Sequence, residues 1–115
     1  MHYKVLQING SNADFGTKLT ELQTTINSNK SEIVIISEAN SEVDDPEQME
    51  ARRKAFPSFS FEDKTVTGNP KARCTVMVGN HIKYKRLIKY EDPLNSSIAL
   101  RVKDGCNRWI AILGI

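Results

Sequence analysis

The sequence predicts an α/β domain. An apolar strand, an amphipathic helix and a second apolar strand follow one another in residues 3–37, and the chain from residue 72 onward turns to alternating, antiparallel-type β segments. Residues 3–9 carry Val5, Leu6 and Ile8 at the heart of a buried strand, which stops at the turn cluster Asn9-Gly10-Ser11-Asn12. Phe15, Leu19, Leu22 and Ile26 then fall at i, i+4, i+7 and i+11, one stripe of a helix over about residues 14–27, with Asn12 or Asp14 as its cap and Ser28-Asn29 as its end. Ile33, Val34, Ile35 and Ile36 stand in a row within a second strand over residues 32–37, a pattern that asks for burial on both faces. Strand, helix and strand in this order predict a parallel pair joined by a right-handed crossover.

The remaining elements follow from local chemistry. Asp45-Pro46-Glu47-Gln48 marks a helix start, with Asp45 at the N-cap, Pro46 at N1 and Gln48 at N3, and the short helix runs to about Lys54. Phe56, Phe59 and Phe61 punctuate what reads as a loop, since Pro57 argues against a central strand. Residues 74–78 read as a strand, Gly79-Asn80 as a hairpin turn and residues 81–90 as the partner strand. In that partner Ile82, Tyr84, Ile88 and Tyr90 alternate with Lys83, Lys85 and Lys89, so Tyr84 and Tyr90 are expected in the core and the lysines outside. Residues 97–103 and 108–115 form two more strands around the Asp104-Gly105 turn. The last strand is strongly apolar and reaches the final residue, which suggests a domain cut in mid-strand.

At 115 residues the chain holds one domain. Hydrophobic residues make up 39% and charged residues 26%, a globular balance. No apolar run approaches the roughly 20 residues that span a bilayer. No signal-peptide pattern opens the chain, so a soluble intracellular protein, nuclear or cytoplasmic and with no membrane partner, is expected. Two cysteines, Cys74 and Cys106, exclude a disulfide framework and lack zinc spacing, and both read as buried free thiols. The net charge of +2 hides an asymmetry: residues 1–60 carry −3 and residues 61–115 carry +5. Residues 64–89 hold seven basic side chains and no acid, which favours a polyanionic partner or, alternatively, a solvated sheet face with edge-protecting lysines.

Two polar residues stand at the carboxyl ends of the two parallel strands, Asn9 and Glu38. Ligands bind at such ends, a carboxylate there suits a hard cation such as Mg²⁺, and a carboxamide can orient it. The same residues also fit a plainer role, Asn9 opening a turn and Glu38 as a solvated loop acid. His2 and His81 have no ligand partner at metal spacing, and Gly10 and Gly16 do not make a phosphate loop.

Lys4-Val5-Leu6-Gln7-Ile8-Asn9-Gly10-Ser11-Asn12, the helix after it, Glu32-Ile33-Val34-Ile35-Ile36-Ser37-Glu38, and Arg73-Cys74-Thr75-Val76-Met77-Val78 together resemble the endonuclease/exonuclease/phosphatase superfamily. The resemblance is nearest to the endonuclease domains of LINE-type non-LTR retrotransposons. It implies the amino-terminal half of a four-layer α/β/β/α sandwich with a mixed, DNase I-like sheet. It also implies a phosphodiesterase dependent on Mg²⁺ or Mn²⁺ that nicks DNA for a reverse transcriptase to prime. By this resemblance Glu38 is the metal carboxylate and Asn9 joins it on the catalytic rim. The charge pattern of residues 64–89 separately makes Lys71, Arg73, Lys83, Lys85 and Lys89 the expected contacts to DNA or another phosphodiester polyanion.

The family's later Tyr, Asp-x-Asn and Asp-His elements have no counterpart here, and Ser11 stands where some branches carry an acid. An inactive half-domain is therefore expected, with one sheet face around Trp109, Ile110, Ile112 and Leu113 lacking its facing sheet and a second half-domain or a second copy as partner. A non-catalytic nucleic-acid-binding or interaction module and a phosphatase of the same superfamily are the alternatives.

Overall fold

The computed structural model describes residues 3–10, 18–66, 68, 71–92, 94–103 and 109–114. Seven strands and two α-helices appear among them, in the order β1 (Val5–Asn9), α1 (Leu19–Asn29), β2 (Ile33–Glu42), α2 (Pro46–Ala55), β3 (Phe59–Thr65), β4 (Lys71–Gly79), β5 (Tyr84–Arg86), β6 (Ile98–Lys103) and β7 (Trp109–Gly114). A short 3-10 turn, Ile88–Tyr90, follows β5. One sheet has the order β1-β2-β4-β3 and the other β5-β6-β7. The first is mixed: β1 and β2 run parallel, while β4 is antiparallel to both β2 and β3. The caps expected at Asn12 and Asp14, the apolar Phe15, the Asp104-Gly105 turn and Cys106 lie outside the described residues, as do the side chains of Trp109, Ile110, Ile112 and Leu113.

Strand periodicity divides the core into two layers. Val34, Ile36 and Met77 face the helices and pack with Leu22, Ile26 and Phe56. Ile33, Ile35, Cys74, Val76 and Val78 face the other way, against Ile82, Ile98, Leu100 and Val102 of the second sheet. Ile33 to Ile36 are therefore buried on both faces of the sheet, as their unbroken run requires. The layers are helix, sheet and sheet. The expectation that one face of β7 lacks a facing sheet rests on the side chains of Trp109, Ile110, Ile112 and Leu113, which lie outside the described residues. On β6, Ile98, Leu100 and Val102 pack against the first sheet and the outer face carries Arg101 and Lys103. Cys74 is fully buried, and burial pushes its thiol up to about 11, an inert core sulfur. No helix among the described residues is long and apolar enough to cross a membrane.

Asp45 caps α2 as expected, accepting hydrogen bonds from the N–H groups of Glu47 (3.0 Å) and Gln48 (3.4 Å) with Pro46 behind it. Four expectations are corrected. Residues 59–65 form edge strand β3, with Pro57 just outside it. Gly79-Asn80 is not a hairpin joining β4 to the next strand, because β5 pairs with β6 in the other sheet and the 79–83 segment crosses between sheets. Ile88 and Tyr90 leave the strand pattern once β5 ends at Arg86, and both are exposed. Val5 is exposed as well, because β1 is an edge strand and the second sheet covers β2 and β4 but not β1.

Candidate active-site rim

Chain direction sorts the polar residues to the two ends of the sandwich. β1, β2 and β3 finish, and β4 begins, at one end, which gathers Asn9, Glu38, Thr65 and Lys71. β5 starts at the far end and climbs back, so the Ile88–Tyr90 turn returns to the first. Across the four strands Asn9, Ser37, Cys74 and Lys64 form one register row. Parity sends these four side chains to the inter-sheet side of the first sheet.

Just beyond that row β2 departs from the ladder. Ser37 pairs with Cys74 and Ser41 with Ala72, so residues 38–40 bulge against the single residue Arg73. At the bulge Glu38 is exposed and adopts φ +50°, a left-handed conformation that costs a non-glycine residue on the order of 1–2 kcal/mol. The strained backbone turns Glu38 out of the ladder at the carboxyl end of a parallel pair, where α/β sheets bind ligands. Gly10 holds the bulge in place. Its N–H donates to the Ser37 carbonyl at 2.7 Å, and a Cβ added to it would stand 2.6 Å from the Glu38 carbonyl oxygen. Only glycine allows that approach. Gly10→Ala is expected to cost about 1–3 kcal/mol by overpacking against fixed backbone and to displace Glu38; chemical denaturation measures the first effect, and the cation titration described in the Discussion measures the second.

Behind the rim, between α1 and the ends of β1 and β2, lies a small cavity of about 110 Å³ bordered by Ile8, Asn9, Gly10 and Leu22. Lys18 points to it, with Nζ 3.4 Å from the Gly10 carbonyl. Sequence reasoning missed Lys18 and the bracing role of Gly10, although glycine directly after a strand is itself a signal of close backbone approach.

The predicted nucleic-acid contacts do not form one cluster. Lys71 and Arg73 begin β4 at the Glu38 end, and Lys89 sits on the 3-10 turn at that same end. Lys85 is exposed in the middle of β5. Lys83 is at the opposite end, where its carbonyl accepts from Lys103 N–H. His81 also stands at that far end, 2.8 Å from Glu32. That hydrogen bond, with one from Lys4 N–H, holds the Glu32 carboxyl below its ordinary range. Two cations of the basic run are internal. Lys64 is buried and bonded to Glu91, and Arg86 pairs with Glu91 and Glu62.

The donors that the rim offers are oxygens, from the Glu38 carboxylate and the Asn9 carboxamide. They fit a hard cation of the Mg²⁺ type, which binds through one or two carboxylates and keeps several waters. They do not fit structural zinc: among the described residues no group of three or more His, Cys, Asp or Glu could hold a metal.

No protein-family model and no curated protein matches the chain. Solved structures do match. The endonuclease domain of TRAS1, a telomere-specific non-LTR retrotransposon, superposes with a TM-score of 0.68 at 15% identity, over 97% of this chain and 44% of that one. D. rerio TDP2, humanized by 14 mutations, gives 0.66 at 10% identity over 95% and 44%. D. rerio TDP2 complexed with single strand DNA product gives 0.64 at 8% identity over 95% and 43%. The chain thus spans less than half the length of the structures it matches. With its mixed sheet, second facing sheet and helical layer, it has the DNase I-like endonuclease/exonuclease/phosphatase fold.

Proposed function

We propose that the rim around Glu38 is half of a nuclease-type phosphodiesterase site that uses Mg²⁺ or Mn²⁺ and acts on DNA. The observation that carries this reading is the bulge within β2 that turns Glu38 outward beside Gly10, just past the point where the parallel pairing of β1 and β2 ends. The likeness in fold to an endonuclease domain and to TDP2 bound to a single-stranded DNA product supports the same class of substrate. Glu38 would hold the cation, with the Asn9 carboxamide orienting the carboxylate or a phosphate oxygen. A divalent cation there supplies Lewis-acid charge against the scissile phosphate. Arg73, opposite the bulge, and Lys71 offset the charge of the incoming backbone.

Among the described residues the rim contains no group placed to deprotonate water. The sequence has two histidines, and the described one, His81, is at the far end of the sandwich, engaged with Glu32. The chain by itself therefore binds substrate and cation without turning the substrate over, and a second half-domain, in trans or in cis, would complete the site. Nicking to prime reverse transcription is the specific activity we infer for the completed enzyme.

Charge reversal tests the orientation. Measured by anisotropy of a labelled DNA duplex at low salt, Lys71→Glu with Arg73→Glu is expected to weaken binding by tenfold or more and to flatten its salt dependence. Lys83→Glu, at the opposite end, is expected to change it less than twofold. Equal losses from both ends would overturn the placement of the substrate on the Glu38 rim.

A further inference from the structure

The Ile88–Tyr90 turn takes no part in the rim chemistry above, yet its side chains are unusual for a solvent-facing ridge. Ile88 is 69% exposed and Tyr90 68%, and Leu94 close by in sequence is 71% exposed. At the foot of the ridge runs a groove of about 580 Å³ whose border includes Lys85, Arg86, Lys89, Tyr90 and Arg101 and, among the described residues, no carboxylate. Lys89 Nζ stands 5.2 Å from the centre of the Tyr90 ring, a cation held against an aromatic face. Lys85 and Arg101 are direct register partners across β5 and β6.

We propose that this ridge and groove bind single-stranded nucleic acid. Tyr90 stacks on an unpaired base, and Lys85, Lys89 and Arg101 neutralise the flanking phosphates. The combination of residues selects this occupant. A simple polyanion has no use for the exposed ring. A duplex keeps its base faces stacked on one another, out of reach of Tyr90. An apolar protein surface would be met by three cations. The position fits as well. Lys64, which closes the register row that starts at Asn9, is ion-paired to Glu91, the residue after Tyr90. Three strand spacings separate Asn9 from Lys64, about 14 Å, so one single strand can reach both the ridge and the Glu38 rim. The inference takes its class of ligand from the proposed function but rests on different residues.

Anisotropy of a fluorescein-labelled oligothymidylate tests it, with a duplex of equal length and inorganic polyphosphate as competitors. The chain is expected to prefer the single strand to the duplex. Tyr90→Ala should weaken single-strand binding about tenfold and leave duplex binding unchanged, while Tyr90→Phe retains the affinity. Because Tyr90 is exposed, the alanine variant should melt with the parent. Unchanged single-strand binding by Tyr90→Ala, equal loss on duplex and single strand, displacement by polyphosphate as effective as by oligothymidylate, or a ridge that serves only to dimerise the chain in sedimentation would each overturn the proposal. Glu38→Gln separates the two readings. If the ridge fails, the cation response at Glu38 persists; if the rim fails, the Tyr90 effect persists.

Discussion

Replacing Arg52 by alanine is expected to lower the unfolding free energy by about 3–5 kcal/mol, the cost of leaving one member of a buried ion pair alone. Arg52 on α2 is 5% exposed and grips Asp63 of β3 with two parallel hydrogen bonds, Nη1 to Oδ1 at 2.9 Å and Nη2 to Oδ2 at 2.8 Å. Its Nη1 also reaches Ser41 Oγ at 3.3 Å, and the guanidinium lies 4.2 Å above the Phe61 ring. Asp63 in turn accepts from Thr75 Oγ1 at 2.7 Å. One side chain thus ties α2 to β2, β3 and, through Asp63, β4 at the end of the sheet that carries the candidate site. Urea denaturation measures the loss. Arg52→Lys is expected to recover only part of the stability, because an ammonium cannot satisfy both carboxylate oxygens in the planar fork. Full stability in Arg52→Ala would mean that α2 is held by its apolar contacts alone.

Glu91 is expected to show an effect of similar size, and to make it depend on pH. Its buried carboxylate accepts from Arg86 Nε and Nη2, both at 2.9 Å, from Ala99 N–H at 3.1 Å and from Lys64 Nζ at 3.3 Å. Lys64 belongs to the first sheet, and Arg86 and Ala99 to the second, so the group fastens the two sheets together. Burial by itself pushes the Glu91 carboxyl upward; the Arg86, Ala99 and Lys64 contacts outweigh it and hold the carboxyl below its ordinary value. A depressed carboxyl pKa means that the unfolded chain binds the proton more readily. The stabilisation is therefore complete above the unfolded value near ~4.3 and disappears as pH falls through the folded one. Glu91→Gln should lose stability at pH 7 and show a shallower decline between pH 5 and 3 than the parent, read from urea unfolding at each pH. Parallel pH profiles would show that Glu91 does not contribute to the acid response.

These two clusters explain why the sequence was readable in some places and not in others. The parallel β1 and β2 pair, the double-faced burial of residues 33–36 and the Asp45 cap were legible because each depends on side chains close together in sequence. β3 was not. Phe59 and Phe61 face the helices, while Ser60, Glu62 and Lys64 face the second sheet, a period-two pattern obscured by charges whose partners are distant. Glu62 accepts from Tyr84 Oη at 3.0 Å and Lys64 pairs with Glu91, partners 22 and 27 residues away. The same long-range pairing removed Lys64 and Arg86 from the basic surface that composition suggested. Tyr90 looked like core because the alternation of residues 82–90 was extended past Arg86, where the strand ends. At the rim, Asn9 and Glu38 were legible from their positions after two apolar runs. The bulge at residues 38–40 was not, since it depends on the register with β4.

The most direct test of the Glu38 rim is a Mn²⁺ titration of the ¹⁵N-labelled chain followed by amide line broadening, which needs no catalytic turnover. The expected result is that the signals of Asn9, Gly10, Ser37 and Glu38 broaden first, and that Glu38→Gln abolishes this selectivity without changing the melting behaviour. Broadening centred on Glu32 and His81 at the opposite end, or an unchanged pattern in Glu38→Gln, would contradict the assignment of the cation to this rim.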